Sequence, residues 1–470
     1  MRLINQTINF FTVKGMMNPR LEAGELPPTK DVYRNFINVA WPSAVESLLV
    51  ALISFVDTFM VGTLGNGAIA AVGITTQPKF ILLAMIFSLN VGITAIVARR
   101  KGQKDRDGAN HTLRAGIIIT SLISLSMSIL GSVFAVPILK FAGAETSYMN
   151  QALDYFRVLM ISIFFTSLNL TINAAQRGCG NSKISMRTNI VSNVVNIIFN
   201  YLLINGIGFF PRLGVKGSAI ATCIGAIAAC IISVATLLRK DSFLSLRYKA
   251  SWRINHSILD PIIKISGSAF VEQVFMRIGF FAYAIIVARL GTTAYETHLI
   301  CMNILNLSFC FGDGFSVAAS SLVGQSLGAK RPDMAVLYGK VGQRLAFLVS
   351  TLLFILFITR GSFLVSIFKD DPAVTALGAG IMIILAFTTH AQTSQVVITG
   401  CLRGAGDTVF VALSSMISIA IIRPTLTWLL CFPLSLGLYG AWIALCGDQF
   451  LRFSLNFLRF TNGKWTKIRL

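Results

Sequence analysis

The stretch from Pro42 to Gly62, PSAVESLLVALISFVDTFMVG, is long and apolar enough to cross a bilayer, yet it carries two carboxylates, Glu46 and Asp57. An ionisable group inside a membrane segment costs a few kcal/mol, which marks such residues as functional candidates. The two acids stand 11 residues apart. At roughly 100° per residue that is three turns plus about 20°, so both lie on one helix face. The chemistry open to them there is proton exchange, cation binding or pairing with a base. Other chemistries are poorly served. The four histidines (111, 256, 298, 390) have no metal-ligand spacing, and no HExxH or nucleophile elbow occurs. The eight cysteines form no CxxC pair, and the 38 glycines form no phosphate cradle. No intramembrane enzyme, metal site or organic cofactor is expected.

The elements that position these acids are membrane helices. Mean hydropathy is +0.72, 54% of residues are apolar and 13% are charged. Apolar runs long enough to span recur along the whole chain. Twelve spans are expected, at 36–61, 69–98, 114–139, 152–174, 184–207, 216–238, 259–288, 294–323, 341–360, 374–399, 408–432 and 438–458, giving an all-α polytopic membrane protein. The net charge of +21 sits mostly in alternate loops, for example Arg99, Arg100, Lys101, Lys104 and Arg106 after span 2, and Arg239, Lys240, Arg247, Lys249 and Arg253 after span 6. The positive-inside rule explains that asymmetry, with both termini cytoplasmic and nucleic acid excluded as a partner. Residues 1–35 are expected to be a poorly ordered cytosolic tail without a signal peptide, and Met16 or Met17 is an alternative start.

The chain also repeats itself. Val45, Glu46, Phe55, Val61, Leu64, Gly65 and Ala68 fall on Val271, Glu272, Phe281, Val287, Leu290, Gly291 and Ala294, and one offset of 226 carries Arg177-Gly178-x-Gly180 onto Arg403-Gly404-x-Gly406. After a three-residue slip, Leu213-Gly214-Val215-x-Gly217 meets Leu436-Gly437-Leu438-x-Gly440. Six spans per repeat make the halves parallel, a transporter architecture. The expected division is an N-lobe over 36–238, a cytosolic linker over 239–258, a C-lobe over 259–458 and a cytosolic tail over 459–470.

VDTFMVGTLGNGAIAAVG (56–73), RGCGNS (177–182), NVVNIIFNYLLINGIG (193–208), LGVKGSAIAT (213–222), ARLGTTAYETHLI (288–300), SLVGQSLGAKRPDMA (321–335) and RGAGDT (403–408) resemble the multidrug and toxic compound extrusion (MATE) transporters, in their DinF-like bacterial branch. The resemblance implies two six-helix lobes flanking a central cavity, and export driven by a cation gradient. It implies that Asp57 is the coupling acid of span 1, that Pro42 is the proline where that helix bends, and that Asn196 and Asn200 complete the N-lobe site. Some members have aspartate where Asn200 stands. In NorM-type members the second lobe carries a span-7 glutamate and a span-10 aspartate. Here Met276 occupies the first position, and span 10 contains no acid, its polar residues including Thr388, His390, Gln392 and Gln395. The resemblance therefore carries over no second-lobe sodium site of that kind.

The repeat separates the two acids of span 1. Glu46 has a copy in Glu272, and both are candidates for the substrate cavity, as acids at an inward mouth or as partners of neighbouring helices. Asp57 has Tyr283 as its counterpart, which is neutral at ordinary pH, so coupling is expected in the N-lobe alone. Tyr283 and His298, the latter matching a histidine common in span 8 of the family, complete the cavity candidates. The embedded cations Lys79, Arg157, Arg277, Arg423 and Arg452 outnumber the embedded acids and are expected to pair with Asp448 or other acids. The expectation is a bacterial inner-membrane antiporter acting as a monomer. It would export cationic amphipathic small molecules against H⁺ or Na⁺ by alternating access of the two lobes. The alternative is a lipid or lipid-linked-sugar flippase, which the embedded arginines would favour.

Overall fold

A chain in hydrocarbon must satisfy its backbone groups internally, and uninterrupted apolar runs do so as helices. The computed structural model describes residues 10–17, 22–240, 242–249, 251–253, 255–369 and 371–468. The remaining residues of the expected tails, 1–9, 18–21 and 469–470, lie outside that set. Twelve long helices follow in order: α1 Thr29–Gly62, α2 Asn66–Gly102, α3 Arg106–Val133, α4 Met149–Gly178, α5 Ser182–Asn205, α6 Gly214–Leu237, α7 His256–Ala288, α8 Thr292–Gly328, α9 Pro332–Ser366, α10 Pro372–Ala405, α11 Thr408–Cys431 and α12 Gly437–Thr461. No β-strand occurs among the described residues. Ten of the twelve are long and apolar enough to cross a membrane. The other two, α5 and α12, are 24 and 25 residues long but carry Asn193, Asn196 and Asn200, and Asp448 and Arg452.

The repeat is visible in the backbone itself. Helix ends Gly62 and Ala288, Gly102 and Gly328, and Asn205 and Cys431 each differ by 226. Lys104 and Lys330, a non-glycine pair at that offset, both adopt a left-handed conformation at φ +59° and +58°. The break between α3 and the short helix Ala135–Phe141 falls at Phe134, and its counterpart is the kink of α9 at Arg360. Packing repeats as well: α2 with α3 and α4, α3 with α4, α4 with α6 and α5 with α6 are matched by α8 with α9 and α10, α9 with α10, α10 with α12 and α11 with α12.

The RGxG segments serve that packing. A Cβ on Gly178 of α4 would stand 2.7 Å from the Thr94 carbonyl of α2, and one on Gly404 of α10 would clash with the Ser320 carbonyl of α8. Small residues allow this close approach of membrane helices. The second glycines, Gly180 and Gly406, turn the chain at φ +82° and +87°.

Two compact units emerge, Val45–Phe270, and Met1–Ala44 with Val271–Leu470. They are not the sequence repeats unchanged. The first half of α1 belongs with the second-repeat helices, and the first half of α7 with those of the first repeat. The changeovers, after Ala44 and after Phe270, differ by 226 like the rest of the repeat. The segment before α1 also departs from the expected loose tail. Thr12 caps a turn at Val13–Met16, and Val13, Met16 and Met17 are buried with Phe36, Val341 and Trp465. Val13 N–H donates to Thr29 Oγ1 (3.1 Å), Lys340 to the Met16 carbonyl (2.6 Å) and Ala23 N–H to Asp333 (3.3 Å). Buried apolar side chains and these hydrogen bonds together dock it.

Candidate functional site

In the unit Val45–Phe270, the second half of α1 brings Asp57 against α5. Asn196 and Asn200 are one helical turn apart, so both amides face the same way. Asn200 Nδ2 donates to Asp57 Oδ1 at 2.6 Å and to Asn196 Oδ1 at 3.1 Å. Turning the Asn196 amide puts its nitrogen 2.8 Å from Asp57 Oδ1, and its oxygen then accepts from Thr222 Oγ1 at 3.2 Å. Asn196 thus bridges α1, α5 and α6. Asn200 is fully buried, and its Oδ1 meets no donor. Lys79 of α2 and Tyr155 of α4 lie near enough to interact electrostatically with Asp57.

The arrangement has two settings. An ionised Asp57 takes the amide donors and attracts Lys79. A protonated one becomes a donor itself, and a turn of the Asn200 amide would offer it the oxygen that now has no donor. The structure brings together Asp57, Asn196 and Asn200 of the sequence-derived set. It adds Thr222 and Tyr155, for which the sequence carried no signal, and Lys79, which the sequence marked only as an embedded cation.

The equivalent place in the other unit holds no such acid. Tyr283 is buried and donates its hydroxyl to the Ala441 carbonyl at 3.1 Å. His298 packs its ring between Tyr283 (5.4 Å between centroids) and Trp442 (5.7 Å). The nearby acid is Asp448, fully buried and occupied. Arg423 donates to it through Nε (3.0 Å) and Nη2, Arg452 through Nη2 (3.4 Å), and Ser418 through its hydroxyl. Ser418 lies in a π-helical turn, Met416–Ile422, that leads into Arg423. Two of the five embedded cations are therefore spent on one carboxylate. In α10, Gln392 accepts from Ser308 (3.2 Å) and Gln395 donates to Thr399 (2.9 Å). His390 contacts Thr351 (3.3 Å).

Glu46 and Glu272 lie just beyond the two changeover points. Each is clamped within its own unit. Glu46 accepts from Arg177 Nη1 (3.2 Å), Ser185 Oγ (2.7 Å) and Asn189 Nδ2 (2.7 Å). Glu272 accepts from Arg403 Nη2 at both oxygens (2.9 Å each) and from Ser415 Oγ (2.9 Å). Their side chains are 11% and 3% exposed, so each carboxylate is turned to its clamp. The arginine is 131 residues after the glutamate in both halves, and Asn189 and Ser415 are 143 after. Both spacings recur because the glutamates and their partners obey the same 226-residue offset. Pro42 lies inside the continuous helix α1, two residues before the changeover.

The MatE family model matches residues 42–202 and 268–429. "Uncharacterized transporter YisQ" of Bacillus subtilis is 26% identical over 437 residues, covering 92% of this chain and 94% of that protein. "Probable multidrug resistance protein NorM" of Thermotoga maritima is 25% identical, covering 93% and 94%. Among solved structures, a MATE protein in the bent conformation superposes with a TM-score of 0.85 at 19% identity, covering 92% of this chain and 96% of the other. A MOP-superfamily transporter from Pyrococcus furiosus, whose description assigns it a binding pocket of reversed polarity, reaches 0.86 at 18% identity, covering 93% and 97%.

Proposed function

The chain belongs to the MatE family of membrane transporters, and on that premise we propose that it is a secondary antiporter exporting cationic amphipathic small molecules, with Asp57 as the coupling group. One observation carries the reading. Asp57 has buried amide donors and a vacant acceptor beside it, whereas its repeat counterpart is a tyrosine committed to a backbone carbonyl. Only one unit has an acid free to change state at this position.

We take the coupling ion to be a proton: a hard cation takes several oxygen ligands, and Asn200 presents its amide nitrogen to the carboxylate. In the proposed cycle, a proton arriving from outside neutralises Asp57. The Asn200 oxygen accepts the new O–H, the pull on Lys79 falls, and a cationic substrate loses its attraction and leaves. Release of the proton inward restores the carboxylate. We read both termini as cytoplasmic from the basic loops, in a bacterial inner membrane. It would work as a monomer, without organic cofactor and without enzymatic turnover. The flippase reading rested on the embedded arginines, and Arg423 and Arg452 are engaged by Asp448.

The test is efflux of a fluorescent cation from proteoliposomes under an imposed H⁺ or Na⁺ gradient, wild type beside Asp57→Asn. The expected result is proton-driven efflux that the variant loses. Undiminished gradient-driven efflux by Asp57→Asn would overturn the assignment, and efflux driven by Na⁺ alone would change the ion.

A further inference from the structure

The segment joining the two repeats lies along α3 and is pinned to it. Arg106, the first residue of α3, donates to the carbonyls of Phe243 (3.2 Å), Lys240 (3.0 Å) and Ser242 (2.6 Å). Asn110, one turn on, donates to the Phe243 carbonyl (3.0 Å) and accepts from Ser245 N–H (2.8 Å). Arg114, a further turn on, donates to the carbonyls of Leu246 (3.2 Å) and Tyr248 (2.6 Å). Three cations cover aromatic rings along the same line: Lys101 on Phe243 at 3.9 Å, Arg106 on Tyr248 at 4.5 Å and Arg114 on Trp252 at 4.9 Å.

With its carbonyls turned to α3, the segment presents Lys240, Arg247 and Lys249 outward. Together with Arg106 and Tyr248 they line a cavity of about 370 Å³. Among the described residues none of these three makes an ion pair. Of the described acids nearby, Asp105 is engaged by Arg100 and by the Gly108 N–H. The described lining is four basic residues and one tyrosine, on a backbone pinned to α3 where that spanning helix begins. Tyr248 and the exposed Trp252 are the residue types that settle at a membrane–water interface.

We propose that this cavity binds the phosphate of an anionic phospholipid headgroup, contacted by Lys240, Arg247 and Lys249, with Arg106 holding the floor. Basic pockets at the membrane surface recognise such headgroups because the lipid supplies the anion at high local concentration. Arginine offers a forked donor and lysine a compact charge to the same phosphate. The site is independent of the Asp57 reading.

The test titrates fluorescent phosphatidylglycerol into the full-length protein in mixed micelles. Lys240→Gln/Arg247→Gln/Lys249→Gln should weaken binding by roughly tenfold or more, and Lys249→Glu alone should weaken it measurably. Lys464→Gln/Lys467→Gln, at another exposed basic site, should leave it unchanged. Equal binding by the triple variant would overturn the proposal, as would an equal loss in the control pair. Displacement of the probe by millimolar inorganic phosphate would overturn the lipid assignment in favour of a soluble anion.

Discussion

Asn200 reaches Asp57 with its amide nitrogen at 2.6 Å and keeps its amide oxygen buried against no donor. The side chain thus holds an ionised Asp57, and a turn of its amide would offer the free oxygen to a protonated one. Asn200→Leu removes both at similar volume. A hydrogen bond to a charged group contributes about 1.5–3 kcal/mol, so gradient-driven efflux should fall by roughly tenfold or more. Thermal unfolding in detergent should shift by only a few degrees. Efflux equal to wild type would leave Asn200 a packing residue.

The two glutamate clamps predict unequal losses. Arg177→Met leaves Glu46 with Ser185 and Asn189 as donors. Arg403→Met leaves Glu272 with Ser415 alone among the hydrogen bonds shown here. Breaking a buried pair costs about 3–5 kcal/mol, less where neutral donors remain. Arg403→Met should therefore unfold at the lower temperature of the two. The reverse order would mean that the clamp geometry does not govern stability.

Glycine at 178 and 404 is demanded by backbone proximity, since a methyl group at either would press on a carbonyl of the neighbouring helix, Thr94 or Ser320. Alanine at either position should cost about 1–3 kcal/mol through forced helix separation. Thermal unfolding of Gly178→Ala and Gly404→Ala measures it, and unchanged midpoints would show that the helices separate freely.

The helices and the repeat could be read from the sequence because hydrophobic length and one constant offset are one-dimensional properties, and the shared backbone geometry of Lys104 and Lys330 follows from that offset. Asp57 with Asn200 came through family likeness, because nothing in their 143-residue separation announces a contact. The partners of Glu46 were hidden for the same reason, and the equal spacing at Glu272 follows from the repeat offset without singling out a contact. Tyr155 and Thr222 remained invisible, since one aromatic and one hydroxyl among many have no period or motif to single them out. The docked N-terminal segment was missed because its apolar residues, among them Val13, Met16 and Met17, fill a run too short to read as a span. Its burial depends on a surface built hundreds of residues later.

Asp448, Arg423 and Arg452 form a buried trio in the unit that holds Tyr283. Asp448 is fully buried and takes Arg423 by two nitrogens, whereas Arg452 reaches it only through Nη2 at 3.4 Å, with its Nε unpartnered. Asp448→Asn would leave two buried guanidinium groups without their counter-charge, at a cost of about 3–5 kcal/mol. The variant should accumulate poorly and unfold at a markedly lower temperature. Arg452→Met should be mild, because Arg423 keeps its partner. In the Asp448→Asn background the same change should recover part of the loss by removing one uncompensated charge. Fluorescence-detected size exclusion and thermal unfolding of the three variants check this order. Wild-type stability for Asp448→Asn would mean that the arginines find water or another anion, which would return them to candidacy as ligands for an anionic substrate.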